Sequence, residues 1–195
     1  VLPAQALLGH RRTRGLAASG VSRGARPRDF AILCRTPEEA VKALEIVTQW
    51  TAGNGLTLHP TKTKIVDVRT EGFDFDFLGY HFRDKRHWPR EKSQKKLKDT
   101  LRQKTRRTSG NSLESIIHDV NRTLAGWFEY FKHSRPWIFG KLDSWLRSRL
   151  RSVLRRRLHK RGRSRGTDHQ RWPNLFFVKH GLFSLKAAHA LAVQP

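Results

Sequence analysis

The spacing of apolar residues changes character several times along the chain. Residues 1–28 carry no sustained periodicity. From Asp29 onward Phe30, Ile32 and Cys34 alternate with Ala31, Leu33 and Arg35, which predicts a largely buried strand. Thr36-Pro37-Glu38-Glu39 has the order of a helix start: an N-cap hydroxyl, proline at the first helical position and an acidic first turn. Val41, Leu44, Val47 and Trp50 follow at helical spacing, and Gly53-Asn54-Gly55 should end that helix. Residues 63–68 predict a second strand. Phe73, Phe75 and Phe77, alternating with Asp74 and Asp76, predict a third that runs on towards Tyr80 and Phe82. This strand–helix–strand–strand order makes a small α/β unit, too short for a complete α/β enzyme.

The pattern then turns helical. Residues 83–107 form a bridge with twelve Lys/Arg and three acidic residues. Beyond Gly110, Asn111 with Glu114 has the spacing of a capping pair. Leu113, Ile116, Ile117, Val120, Leu124, Trp127, Phe128 and Phe131 line one face of the helix that follows, which Arg135-Pro136 should end. A second helix is predicted over 138–158, with Leu142, Trp145, Leu146, Leu150, Val153 and Leu154 on its apolar side. Residues 162–166 read as a flexible basic loop. The tail holds Trp172-Pro173, an apolar run over 175–178, a turn at His180-Gly181 and a short helix from Ser184.

Composition narrows what such a chain can do. Across 195 residues, 40 Lys+Arg stand against 16 Asp+Glu, a formal net charge of +24. That surplus repels itself unless a polyanion neutralises it, which points to nucleic acid. Six Trp and eleven Phe argue against wholesale disorder. The leader 1–28 is the exception: its only charges are arginines, and it is expected to be a disordered basic arm. No apolar stretch approaches the length of a membrane span. A single cysteine, Cys34, excludes a disulfide framework and a multi-cysteine zinc site. The lack of Met and the start at Val1 lead us to expect part of something longer.

The densest signal lies in residues 145–165, which hold ten Lys/Arg and no acid. Arg147, Arg151 and Arg155 recur every four residues, so they are expected to line one exposed stripe. Guanidinium forks match phosphate oxygens in pairs. Ordinary exposed helix faces mix both signs, so polyanion binding is favoured over a merely solvated face. Arg149 and Arg156 fall back towards the apolar side and must snorkel or enter a groove. Lys160, Arg161, Arg163 and Arg165 extend the cationic run, and Lys95, Lys96, Arg106 and Arg107 supply the bridge. Among the aromatics, Tyr130 lies off the apolar stripe and is the ring expected to be exposed for base stacking. His159, His169, His180 and His189 lack metal-ligand spacing, so no metal site is expected. Asp29 stands where a polymerase carboxylate could, but two-metal phosphoryl transfer needs several converging carboxylates. Arg28 precedes it, and Asp74 and Asp76 alternate away from the Phe face.

Several of these segments resemble a known family. Asp29-Phe30-Ala31-Ile32-Leu33-Cys34-Arg35, then Gly55-Leu56-Thr57-Leu58-His59-Pro60-Thr61-Lys62-Thr63-Lys64-Ile65, then Phe77-Leu78-Gly79-Tyr80, resemble the later palm motifs of bacterial group II intron reverse transcriptases. Residues 117–157 resemble the maturase-specific thumb, or X domain, with Leu124-Ala125-Gly126-Trp127-Phe128-Glu129-Tyr130-Phe131 and Lys141-Leu142-Asp143. Arg171-Trp172-Pro173-Asn174 and the segment from Gly181 to His189 are similar to the family's tail. The resemblance implies an α+β chain: a partial palm of short strands plus one helix, followed by a helical thumb. It implies a basic leader at 1–28, a palm remnant at 29–82, a basic connector at 83–107, the maturase-specific domain at 108–162 and a tail at 163–195.

By the same resemblance Asp29 matches the last Asp of a Tyr-Ala-Asp-Asp box whose other positions hold Arg26, Pro27 and Arg28. Asp29 is thus expected to be vestigial. Lys62 matches the lysine near the nucleotide and template path, and Phe77, Leu78, Gly79 and Tyr80 match the primer grip. The fingers, the first palm carboxylate motif and the zinc-containing endonuclease of some relatives are missing. The expected partner is group II intron RNA, with a DNA target as a second candidate, in the bacterial cytoplasm; no oligomeric state is implied. No cofactor is expected for this chain, since Mg²⁺ belongs to the complete polymerase. The expected function is intron-RNA binding without copying. The alternatives are a polymerase completed by another chain and a non-functional gene remnant.

Overall fold

In the computed structural model, which describes residues 5–12, 29–67, 73–84 and 86–193, the chain divides into two compact units. The first comprises residues up to 78 with 82–85, the second residues 79–81 and those from 86 onward.

The first unit is built around strand β1 (Gln5–Arg12). β2 (Asp29–Cys34) pairs antiparallel along one of its edges, from Gln5 opposite Cys34 to His10 opposite Asp29. Two short strands share the other edge, also antiparallel. β4 (Lys64–Asp67) lies opposite residues 5–8, and β3 (Thr57–Leu58) opposite Arg11 and Arg12. The expectation of a wholly disordered leader therefore fails over residues 5–12. A strand paired on both edges is held by its backbone ladder and needs no alternating pattern, so periodicity could not reveal it. The remainder of the leader lies outside the described residues.

Helix α1 (Pro37–Gly53) follows β2 and begins as its sequence predicts. The Thr36 hydroxyl accepts the Glu39 N–H at 3.3 Å, and the Glu39 carboxylate accepts the Arg35 N–H at 2.8 Å. It ends at Asn54, followed by Gly55 at φ +67°. Its buried line is shifted from the expected one. Ala40 and Thr51 are buried, whereas Val41 and Trp50 are exposed. Thr51 is tolerated inside because its hydroxyl donates to the Val47 carbonyl at 2.8 Å.

The predicted Phe-Asp strand is interrupted. β5 (Asp74–Phe77), β6 (Tyr80–Arg83) and β7 (Arg86–Pro89) form a three-stranded sheet in that order. Leu78 and Gly79, at φ +47° and +84°, make the break between β5 and β6. Two successive left-handed residues are the signature of a two-residue hairpin turn. Phe73, Phe75 and Phe77 pack against buried Val66 while Asp74 and Asp76 face solvent, as the alternation predicts.

The second unit is helical: α2 (Glu91–Lys104), α3 (Leu113–Phe131), α4 (Trp137–Arg157), α5 (Gly166–Arg171), α6 (Asn174–Lys179) and α7 (Leu185–Ala192). The cap of α3 is Ser112, whose hydroxyl accepts the Ser115 N–H at 3.1 Å, one residue beyond the expected Asn111. The predicted apolar faces of α3 and α4 meet in one core. It includes Ile116, Val120, Leu124, Phe128, Phe139, Leu142, Leu146, Leu150 and Val153. The bridge and the tail belong to that core as well. Leu97 and Leu101 of α2, Trp172, Phe177 of α6 and Leu185 of α7 are buried in it. Asp143 of α4, itself buried, caps α7: its carboxylate accepts the N–H groups of Leu185 and Lys186 and the Ser184 hydroxyl at 2.8–3.1 Å.

Candidate nucleic-acid interface

The expected exposed stripe of arginines on α4 is not exposed. Arg151 is 2% and Arg155 is 8% accessible, and Arg147 is half-buried. Each buried guanidinium is occupied inside the fold. Arg151 donates from Nε to the Trp172 carbonyl and from Nη2 to Asn174 Oδ1, both at 2.8 Å, and lies over the Phe177 ring. Its pKa is pushed below the usual arginine range by burial first, then by the neighbouring charge of Arg147, with Asp168 opposing. Arg155 forms an ion pair with buried Asp168 at 3.1 Å. A four-residue repeat brings residues to one helix face but does not say whether that face meets water. Here α5 and α6 cover it.

Arg149 resolves in the same way. It reaches the end of α2, donating to the Thr105 carbonyl at 2.9 Å and the Thr105 hydroxyl at 3.2 Å. The α2 carbonyls left over at its C-terminus thereby gain a cationic donor. Burial, then Arg107 and Arg102, hold the Arg149 pKa below its ordinary value.

Arg155 and Asp168 also shape the segment after α4. Arg155 Nε donates to the Arg161 carbonyl at 3.1 Å, and the Asp168 carboxylate accepts the Arg165 N–H at 2.7 Å. Ser164 is held by Ser152, which accepts its N–H at 3.1 Å, and by the Ser148 hydroxyl at 2.9 Å. His159 and Gly162 take left-handed conformations, with φ +59° and +91°, that turn the chain back on itself. The loop expected to be flexible is therefore pinned at several points. Its cations Lys160, Arg161, Arg163 and Arg165 are all exposed, as are Arg156 and Arg157 at the end of α4.

A second basic segment meets this loop. Arg107 Nη1 donates to the Gly162 carbonyl at 3.3 Å, and Arg157 Nη2 donates to the Asn111 carbonyl. The links join the α2–α3 connection to the α4–α5 connection, so exposed Arg106 and Arg107 stand beside the cations of the loop. The acid nearest in sequence, Asp168, is buried and already paired with Arg155. A concentration of cations on a pinned backbone suits phosphate contacts, because little order has to be imposed on binding.

The other expected site residues are scattered. Lys95 and Lys96 are exposed on α2, and Tyr130 is 53% accessible on α3, as its place off the stripe predicts. Lys62 is exposed in the turn before β4, within the first unit. Of the primer-grip-like residues, Phe77 packs on Val66 and Leu78 is exposed in the turn. The Gly79 carbonyl accepts the Arg90 N–H and the Ser93 hydroxyl, both at 2.9 Å. The positive φ of Gly79 favours glycine there, and a Cβ would also come within 3.2 Å of Ser93 Oγ, which would have to give by a few tenths of an ångström. The Tyr80 hydroxyl donates to the Tyr130 carbonyl, and burial raises its pKa.

Asp29 begins β2, opposite His10 of β1, whereas Asp67 ends β4, opposite Gln5. Five residues of β1 separate those two positions, a distance of about 17 Å along a strand. The register thus sets these two carboxylate positions far apart. Among the described residues no group of three or more His, Cys, Asp or Glu is arranged to hold a metal ion. No described helix is long and apolar enough to cross a membrane.

Residues 94–172 match the family model of the group II intron, maturase-specific domain. Over that stretch the chain is similar to the maturase-specific domain. The match starts within α2 and ends at Trp172, so it takes in the bridge helix along with α3, α4 and α5. The matched stretch is wider on both sides than the 108–162 expected for the maturase-specific domain. The pinned loop and the α2–α3 connection both lie within it. No curated protein matched the chain.

Proposed function

We propose that this chain binds group II intron RNA through the paired basic connections of its maturase-specific domain. The observation that carries the reading is the hydrogen-bonded junction of the two connections, through Arg107–Gly162 and Arg157–Asn111. It gathers Arg106, Arg107, Lys160, Arg161, Arg163 and Arg165 at one end of the helices. Phosphate contacts from these cations supply affinity, and the shape of the folded RNA supplies selectivity.

The test is a titration of group II intron RNA at two salt concentrations. Affinity should fall steeply with salt, with a log–log slope of about −0.7 to −0.9 per phosphate neutralised. Replacing Arg161, Arg163 and Arg165 together by Ala should flatten that slope by about two to three. Salt-insensitive binding, or none, would overturn the proposal.

On this reading the chain is the RNA-holding rear part of a reverse transcriptase/maturase and does not copy RNA by itself. The separation of the Asp29 and Asp67 positions supports that view, because two-metal transfer needs carboxylates converging on ions about 3.5–4 Å apart. Primer extension with Mg²⁺ or Mn²⁺ should give no product, and extension by the purified chain would sink this part of the proposal.

A further inference from the structure

Between α2 and α3, within the helical unit, lies a groove of ≈ 400 Å³ that the basic connections do not use. One wall is Lys96, Leu97 and Thr100 of α2; the other is Gly126, Trp127, Tyr130 and Phe131 of α3. The aromatic wall is continuous: the Trp127 and Phe131 ring centroids lie 4.7 Å apart, and those of Tyr130 and Phe131 also 4.7 Å.

Gly126 is the informative residue. It sits in the middle of α3, where glycine is the poorest choice after proline. No close neighbour requires it, because a Cβ placed there would meet nothing within 4 Å. What the missing side chain leaves is open space in the groove. The Lys96 ammonium is exposed and has no ion-pair partner among the described residues. The same helix carries Lys92, Lys95 and Lys98, and its Asp99 is already paired with Arg102.

We propose that this groove receives a single unpaired nucleotide of RNA. The base would lie against the aromatic wall in the space above Gly126, and Lys96 would meet the adjoining phosphate. A flat ring with an anionic tether fits a slot with one aromatic wall and a cationic rim. An apolar protein side chain would not call for the surplus of lysines along α2. The proposal deepens the RNA-binding reading and rests on it: the connections hold the folded RNA, and the groove takes one base that the RNA leaves unstacked.

The test uses the full chain with two probes, a 12-nucleotide single-stranded RNA and a duplex of the same length. Gly126→Leu puts a side chain into the groove from a Cβ that meets nothing within 4 Å, and its thermal midpoint should equal or exceed that of the parent. Gly126→Ala controls for helix propensity with little filling. Gly126→Leu should weaken single-strand binding about tenfold, the scale of one lost base–aromatic stack. It should leave the duplex affinity and the salt slope unchanged, and Gly126→Ala should bind like the parent. Unchanged single-strand affinity in Gly126→Leu, or equal loss on both probes, would overturn the groove proposal. If the parent binds intron RNA but not the single strand, the groove proposal fails and the interface reading stands. If no RNA binds at all, both fail.

Discussion

Helices α1 and α3 are of similar length and both show helical spacing of apolar residues, yet they end in different surroundings. α3 buries seven side chains, from Leu113 to Phe131. α1 buries only Ala40 and Thr51, and Val41, Ile46 and Trp50 remain exposed. The contrast holds for the units they belong to. Among the described residues, the helical unit encloses a large apolar core, whereas the Phe-rich cluster of the first unit centres on one buried residue, Val66. Amphipathic spacing states that a face is available for burial; neighbouring elements decide whether the burial takes place. Among the described residues, the helical unit has enough of them to cover the faces of α3 and α4.

The comparison can be broken most directly in the core. Leu150→Ala should cost about 3–5 kcal/mol, measured by urea unfolding, since Leu150 is fully buried among α4 neighbours. A cost below about 1 kcal/mol would remove the distinction between the units. Arg155→Ala comes next, at about 3 kcal/mol, because it strands the buried Asp168 carboxylate. That pair also sets a pH dependence. Burial alone would raise the Asp168 pKa, but the Arg165 N–H and the Arg155 guanidinium outweigh it and lower the value. A lowered carboxylate pKa stabilises the fold above its unfolded value, and that stabilisation is lost as pH falls through the folded one. Unfolding midpoints should therefore drop in acid for the parent and drop less in Asp168→Asn.

Limited proteolysis sharpens the comparison further. A resistant fragment should start between residues 79 and 91 and keep α2, because Leu97 and Leu101 are core residues. A fragment starting near 108 would show that α2 is dispensable. The smallest effect is expected in the first unit, where Val66→Ala should cost about 1 kcal/mol or less in a cluster that collapses easily.

The capping residue Thr36, the Phe-Asp alternation and the apolar faces of α3 and α4 were all legible, because each is a local pattern with a local cause. Helix α2 was not, since Leu97 and Leu101 are its only two strongly apolar residues and polar residues, five of them lysines, fill the rest. Its helicity rests on packing rather than on pattern. β1 was hidden because its evidence is a pairing partner far along the chain. For the candidate site, counting cations pointed to residues 145–165, and the repeat of Arg147, Arg151 and Arg155 suggested an exposed stripe where the structure buries Arg151 and Arg155. The two left-handed residues His159 and Gly162, and the carbonyls that Arg107 and Arg157 reach, have no signature that spacing alone could reveal. The open space at Gly126 likewise required the neighbouring helix to be in place.

The burial of Arg151 and Arg155 changes what chemical labelling of this protein will report. A dicarbonyl reagent that attacks guanidinium groups should spare both residues even when no RNA is present, and should modify Arg161, Arg163 and Arg165 readily. Protection of the loop arginines on adding RNA would then mark a true footprint. Protection of Arg151 and Arg155 would mark only the folded state, a built-in reference inside the same peptide region.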